Sequence, residues 1–237
     1  MTPSALKANL VATAAARYRA VGRFAYHFAR GKLHRDPVFA ALLAYGLVPQ
    51  DARVLDLGCG QGLLAAWLLA AQTVQRAGQW CSQWPAPPRT ISLHGIEMKA
   101  SDVTRARSAL AAEARIEHGD IRRSSFAEAD AIVILDVLHY IDYVSQEEVL
   151  ARVRVALARD GVLVLRIGDA SGGLAFKISN WVDQAVLLVR GHGWVRLYCR
   201  PVPQWLQLLD RCGFRVDAMP MSEGTPFANV LLVGHVR

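Results

Sequence analysis

Apolar positions near the start of the chain recur at helical spacing. At 100° per residue, Leu6, Leu10, Ala14, Tyr18, Val21, Ala25 and Phe28 share one face, and Arg19, Arg23 and Arg30 fall on the opposite one. This predicts an amphipathic basic helix, interrupted near Gly22 and ended by Gly31. After Asp36-Pro37, Val38 to Leu47 predicts a short helix closed by Gly46 and Pro49. Strands and helices then alternate. Arg53 to Leu57, Ile91 to Glu97, Arg115 to His118 and Ala131 to Asp136 read as strands, with helices at Leu63 to Ala71 and Asp102 to Ala114. The run Ser145, Gln146, Glu147, Glu148 forms a capping box opening a helix through Ala158 that Gly161 closes, and Val162 to Ile167 is the next strand. Simple alternation stops there. Phe176 to Val189 predicts a helical insertion, Pro203 to Cys212 a helix capped by Gly213, and Phe214 to Ala218 a strand. A loop with Gly224 and Pro226 leads to a last strand, Val230 to His235.

Strands that return through a helix must re-enter the sheet from the same end and pair in parallel. The fold class is therefore α/β: a doubly wound, mostly parallel seven-stranded sheet with the last strand antiparallel and an N-terminal helical extension. Residues 1–49 read as a basic helical cap and 50–237 as the α/β domain. A ligand should lie beyond the carboxyl ends of the strands, near the first one. Gln72 to Thr90, with Trp80, Trp84, Pro85, Pro87 and Pro88, is a loop excursion, its two tryptophans folded back onto something apolar.

With 237 residues, 53% hydrophobic and 20% charged, the chain has the makings of one globular domain rather than a disordered segment. Cys59, Cys81, Cys199 and Cys212 make no Cys-x-x-Cys pair or metal-ligand ladder, so no metal site is expected and a reduced cytoplasmic compartment is. The apolar run Leu63 to Ala71 is about half of the roughly 20 residues needed to span a bilayer, and no transmembrane segment is predicted. The net charge of +7 is localised: residues 1–35 carry seven basic side chains and no acid, whereas the remainder balances. This arm reads as a solvated face over a core-facing stripe, or as a docking surface for an acidic carrier protein or an anionic membrane surface, with peripheral association in the second case. Nucleic acid is a third, less favoured partner.

The chemistry concentrates at Val54-Leu-Asp-Leu-Gly-Cys-Gly-Gln-Gly62, a strand running into a glycine-rich turn that opens a helix. A dinucleotide fingerprint needs Gly three residues after Gly60, where Leu63 stands, and the lysine and Ser/Thr of a P-loop are absent. Asp56 would also repel a phosphate placed on the helix amino terminus. An acid at this turn suits a cofactor with positive charge and no phosphate.

The Asp-x-Gly-x-Gly-x-Gly pattern of Asp56 to Gly62, in its strand-turn-helix setting, resembles that of class I S-adenosylmethionine-dependent methyltransferases, a Rossmann-like family; the likeness covers roughly residues 50–237. The resemblance implies S-adenosylmethionine as cofactor, with Asp56, Gly58, Cys59 and Gly60 around its methionine end. Glu97, ending the second strand 37 residues after Gly60, would accept both ribose hydroxyls, and Met98 would lie against adenine. Asp120 would accept from the adenine amine and the Ile121 amide would donate to the ring. Asp136 and His139, after the fourth strand, would face the reaction centre.

Methyl transfer needs the acceptor held at attack distance more than it needs a strong catalytic group. His139 is the candidate base or positioning group for an acceptor hydroxyl, and His192 the reserve. The loop Asp136-Val-Leu-His139 lacks the Asn/Asp-Pro-Pro-aromatic run that nucleobase amine methyltransferases share. Trp194 and Tyr198, in a lid insertion over 172–200, suggest a flat or long apolar acceptor. Lys32, His34 and Arg35 would clamp an acidic part of it, or simply form a solvated loop. The expectation is a tailoring enzyme of secondary metabolism, with weaker resemblance to aryl polyene and polyketide methyltransferases. It would act on a phenolic or polyketide-like hydroxyl or ring carbon of a small acceptor, free or carrier-bound. RNA methylation, or a methyltransferase-like binding protein without turnover, stand as alternatives.

Overall fold

The computed structural model describes residues 1–170, 196–222 and 228–237. The expectations for Phe176 to Val189, His192, Trp194 and the Gly224/Pro226 loop lie outside the described residues. Strands β1 (Asp51–Leu57), β2 (Thr90–Glu97), β3 (Arg115–His118), β4 (Ala129–Leu135), β5 (Leu157–Gly168), β6 (Phe214–Pro220) and β7 (Asn229–Val236) form one sheet of order β3-β2-β1-β4-β5-β7-β6. Pairing is parallel from β3 across to β5, and β7 runs antiparallel to both β5 and β6. The winding direction switches at β1, between β2 and β4, so a crevice opens at their carboxyl ends.

Successive strand residues point to opposite faces, and each face has its own core. Val54, Ala131, Val133, Val162 and Val164 pack on one side, beneath α1 (Pro3–Ala16), α2 (Arg23–Arg35), α3 (Pro37–Ala44), α4 (Leu63–Arg76) and α5 (Ala100–Leu110). Leu55, Ile132, Ile134, Leu163 and Leu165 face α6 (Tyr143–Ala156) and α7 (Val202–Arg211) on the other. The near-continuous apolar strands follow from burial on both faces.

The N-terminal helices share that first core. Leu6, Leu10, Ala14, Tyr18 and Ala25 are buried as the helical stripe predicts, and Arg19, Arg23 and Arg30 are exposed. The run is interrupted where expected: α1 ends at Ala16, a turn follows, and α2 starts after Gly22, whose φ is +133°. Gly31 does not end the second: α2 continues to Arg35, because Ala29 and Leu33 on either side are fully buried and their packing outweighs the roughly 1 kcal/mol that an interior glycine costs. Asp36 then caps α3, its carboxylate accepting from the Val38 amide.

A second correction concerns the capping box. Asp142, three residues ahead of Ser145, is the actual cap of α6, accepting from both the amide and the hydroxyl of Ser145. Nor does the helix reach Ala158 or close at Gly161. It ends at Ala156 and passes directly into β5, whose register against β4 jumps from Leu157 to Val162. Gly161 serves this irregularity, where a Cβ would sit 2.7 Å from Leu157 Cγ.

The proline-rich excursion packs at the amino-terminal edge of β1. The Gln50 side chain donates to the Ala86 carbonyl, Gln72 to those of Pro88 and Arg89, and Trp80 meets Trp84 edge-on. Its length therefore adds nothing to the crevice at the opposite edge. Replacing Asp142 by Ala should lower stability in urea unfolding by about 1 kcal/mol, with Ser145→Ala costing clearly less.

Candidate active site

At the end of β1 the chain turns on three glycines. Gly58, Gly60 and Gly62 have φ of +76°, +55° and +76°, a region that L side chains rarely adopt. Contacts exclude side chains as well: a Cβ on Gly58 would lie 2.3 Å from Val137 Cγ2, and one on Gly62 2.5 Å from Leu110 Cδ1. The Gly58 and Cys59 amides donate back to Ile96 on β2. Glu97 closes the turn, one carboxylate oxygen accepting from the Gly60 amide at 2.9 Å and the other from the Lys99 amide at 2.8 Å.

Asp56 lies beneath this turn and is 9% exposed. Burial, reinforced by the nearby Glu97 carboxylate, raises its pKa to about 7. Cys59 packs downward, its Sγ where a Gly95 Cβ would stand, and burial pushes its thiol pKa well up. Its side chain is thus part of the core, leaving only its backbone to face a ligand. Met98 is 61% exposed at the lip of the crevice. Asp120 is held in a fork by Arg122, whose hydrogen bonds depress its carboxyl pKa. Ile121 is buried.

Across the crevice, Asp136 follows β4 with φ +59°, uncommon for a residue other than glycine. Arg166 of β5, 2% exposed, holds it through two guanidinium nitrogens, the Nε bond at 2.8 Å, and reaches Asp36 with the third. Lys32 lies 2.8 Å from Asp36 and 3.8 Å from Asp136. Burial would raise both carboxyl pKa values, but Arg166 and Lys32 outweigh it and hold them below the ordinary range. The four formal charges cancel, so Lys32 is not a free anion clamp. His34 and Arg35 point to solvent.

His139 sits in a single 3-10 turn, its ring 4.1 Å from that of Tyr140. Burial lowers its pKa to about 4; Asp136 opposes the shift and Arg166 adds to it. The turn is fixed by Gln146, fully buried on α6, whose amide donates to the Leu138, Ile141 and Tyr198 carbonyls. Tyr198 in turn donates its amide to the His139 carbonyl at 2.9 Å. Sequence reasoning placed Asp56, Glu97, Met98, Asp136, His139, Lys32 and Tyr198 around one crevice, and missed Arg166, Asp36 and Gln146. A lone arginine inside the apolar strand Val162 to Ile167 was the available signal, since such a charge is rarely buried without partners.

The chain belongs to the methyltransferase-domain family, whose profile matches residues 25–218. It is 34% identical over 119 residues, 48% of its length, to a carboxy-S-adenosyl-L-methionine synthase of Chromohalobacter salexigens, and the match spans 39% of that relative. Among solved structures, its fold is like that of a TehB-like SAM-dependent methyltransferase from Corynebacterium glutamicum (TM-score 0.54, 21% identity, 81% of this chain and 84% of that one). It is also like that of magnesium protoporphyrin IX methyltransferase from Synechocystis with bound SAH (TM-score 0.59, 18% identity, 93% of each chain).

Breaking a buried ion pair leaves its partner charge stranded. Asp36→Asn should cost about 3 kcal/mol in urea unfolding at pH 7. Because the Asp36 pKa is depressed on folding, its contribution is present in full above the unfolded value near 3.8 and is lost as pH falls toward the folded value. The gap between wild type and variant should be level above about pH 5 and narrow below it.

Proposed function

We propose that this enzyme transfers a methyl group from S-adenosylmethionine to a small, flat or long apolar acceptor, at a hydroxyl or ring carbon. One observation carries the reading. A buried carboxylate with a pKa near 7 stands beneath a turn of positive-φ glycines, a setting that favours a cationic, amino-acid-bearing ligand and disfavours a diphosphate. Bound there, the donor supplies a methyl group already activated on a sulfonium.

Asp56 and the turn backbone hold its amino-acid end. Glu97 keeps two carboxylate oxygens tied to backbone amides and uses their remaining lone pairs for the ribose hydroxyls. Met98 covers the adenine. The Ile121 amide, which has no backbone acceptor among the described residues, donates to the ring, and Asp120 accepts from its amine in competition with Arg122. On the acceptor side His139 is a neutral imidazole at physiological pH, too weak a base to be matched to that pH. Its role is to orient the acceptor, with Asp136, Lys32 and Tyr198 beside it. A charge-balanced cluster fits an uncharged acceptor region, and the porphyrin acceptor named for the Synechocystis enzyme is a precedent for a flat one.

The exposed Arg19, Arg23 and Arg30 support presentation of the acceptor on an acidic acyl carrier protein, with an anionic membrane surface as the other occupant of that face. No helix among the described residues is long and apolar enough to cross a membrane. The division into a helical cap at 1–49 and a catalytic domain at 50–237 is part of this proposal, as are a cytoplasmic setting and a place in secondary metabolism. Mass spectrometry of cell extracts given labelled donor tests the reading: a small molecule gaining one methyl supports it. Label in RNA, or on a modified donor as the curated relative's name suggests, overturns it.

Protonating Asp56 removes the charge that a cationic ligand needs. Donor affinity should therefore be about tenfold weaker at pH 6 than at pH 8 in calorimetric titrations, and Asp56→Asn should bind weakly with a flat profile. For His139→Ala we expect unchanged donor affinity with turnover at least about tenfold lower. In wild type at saturating donor, kcat should show no inflection from His139 between about pH 5.5 and 8.

A further inference from the structure

The turn joining α1 to α2 reaches the glycine-rich turn. Tyr18, fully buried, donates its hydroxyl to the Gln61 carbonyl at 2.8 Å. That carbonyl belongs to the peptide whose other end, the Gly62 amide, donates to the Cys59 carbonyl at 2.9 Å. Both polar ends of one peptide plane are thereby fixed, and that plane sets the left-handed Gly62 from which α4 starts. Tyr18 is itself clamped, since the neighbouring Arg17 pairs with Glu113 beyond α5. Leu10 and Ala14, on the Tyr18 face of α1, are fully buried. Burial holds the phenol protonated, with Cys59 and Asp56 adding to that effect, so the hydroxyl stays a donor.

Tyr18 also lies ahead of residue 25, where the match to the family profile begins. We propose that Tyr18 is a positioning residue of the donor site, supplied by the N-terminal helical segment and acting through the Gln61–Gly62 peptide. The proposal rests on the reading of this turn as the place of S-adenosylmethionine. Removing the hydroxyl frees a peptide that the ligand otherwise finds already oriented, so binding must supply the ordering. Donor affinity falls while the acceptor side, fixed by Arg166 and Gln146, keeps its geometry.

Full-length Tyr18→Phe, titrated calorimetrically with S-adenosylhomocysteine, tests this. The expected result is a Kd raised about five- to tenfold, with acceptor KM and kcat at saturating donor unchanged. Leu10→Ala, which loosens α1 without touching the hydroxyl, should keep the wild-type Kd. A folded Tyr18→Phe protein within twofold of wild type, or an equal loss in Leu10→Ala, overturns the role. Hydrogen exchange on wild type gives a second readout that needs no variant: S-adenosylhomocysteine should slow exchange at residues 15–22, and unchanged exchange there also overturns it. Asp56→Ala separates the two levels. If it binds as tightly as wild type, the donor-site reading fails and the role of Tyr18 with it. If it loses binding and Tyr18→Phe does not, only the role of Tyr18 fails.

Discussion

A carboxylate taken out of water without a matching cation is costly, and a fold keeps one only where something else supplies the charge. Asp56 is held in that state by the geometry of β1, whose last turn leads straight into glycines that bury it. Glu97, a second acid tied to the same turn, deepens the deficit of positive charge. In the reading proposed above, this end of the crevice is therefore built for a cationic donor before any ligand arrives, a form of electrostatic preorganisation. Everything around it serves to keep the two acids fixed: the return bonds from Gly58 and Cys59 to Ile96, the close fit of Val137 on Gly58, and the packing of Leu110 on Gly62.

The other side of the crevice, where the proposed function puts the acceptor, solves the opposite problem. There the charges are balanced internally, with Arg166 bridging Asp136 and Asp36 while Lys32 shields both acids from the open side. The two acids come from different layers: Asp36 from the junction of α2 and α3, Asp136 from the loop after β4. One buried guanidinium thus ties the α2–α3 junction to the loop after β4. Burial lowers the His139 pKa to about 4, and the same guanidinium adds to that shift against the pull of Asp136.

Local patterns carried much of the fold into the sequence. The β1-turn-α4 unit was legible because strand, glycines and helix are contiguous and each has its own physical signature. The strands β1, β4, β5 and β7 were legible because burial on both faces makes much of their length an apolar run. Boundaries decided by competition were not. Gly31 reads as a stop until the burial of Ala29 and Leu33 is known, and Ser145 reads as a cap until Asp142 is seen to outcompete it. Long-range partners leave the faintest trace. Nothing near Tyr18 in the chain points to Gln61, and nothing near Arg166 points to Asp36, 130 positions away. Lys32 shows the converse: a basic side chain near the site suggests an anion clamp, and only the three-dimensional arrangement reveals that its charge is already spent on two aspartates.

The proline-rich excursion between α4 and β2 is anchored to Gln50 and Gln72, at the rim of the sheet remote from Asp56 and His139. A parallel α/β sheet assigns its two rims unequal duties, one for chemistry and one for turning the chain around. Growth on the turning rim leaves the crevice untouched, so the exposed positions Ser82 and Gln83 are free to carry a grafted peptide or label, while the buried Cys81, Pro87 and Pro88 keep the segment seated on the core.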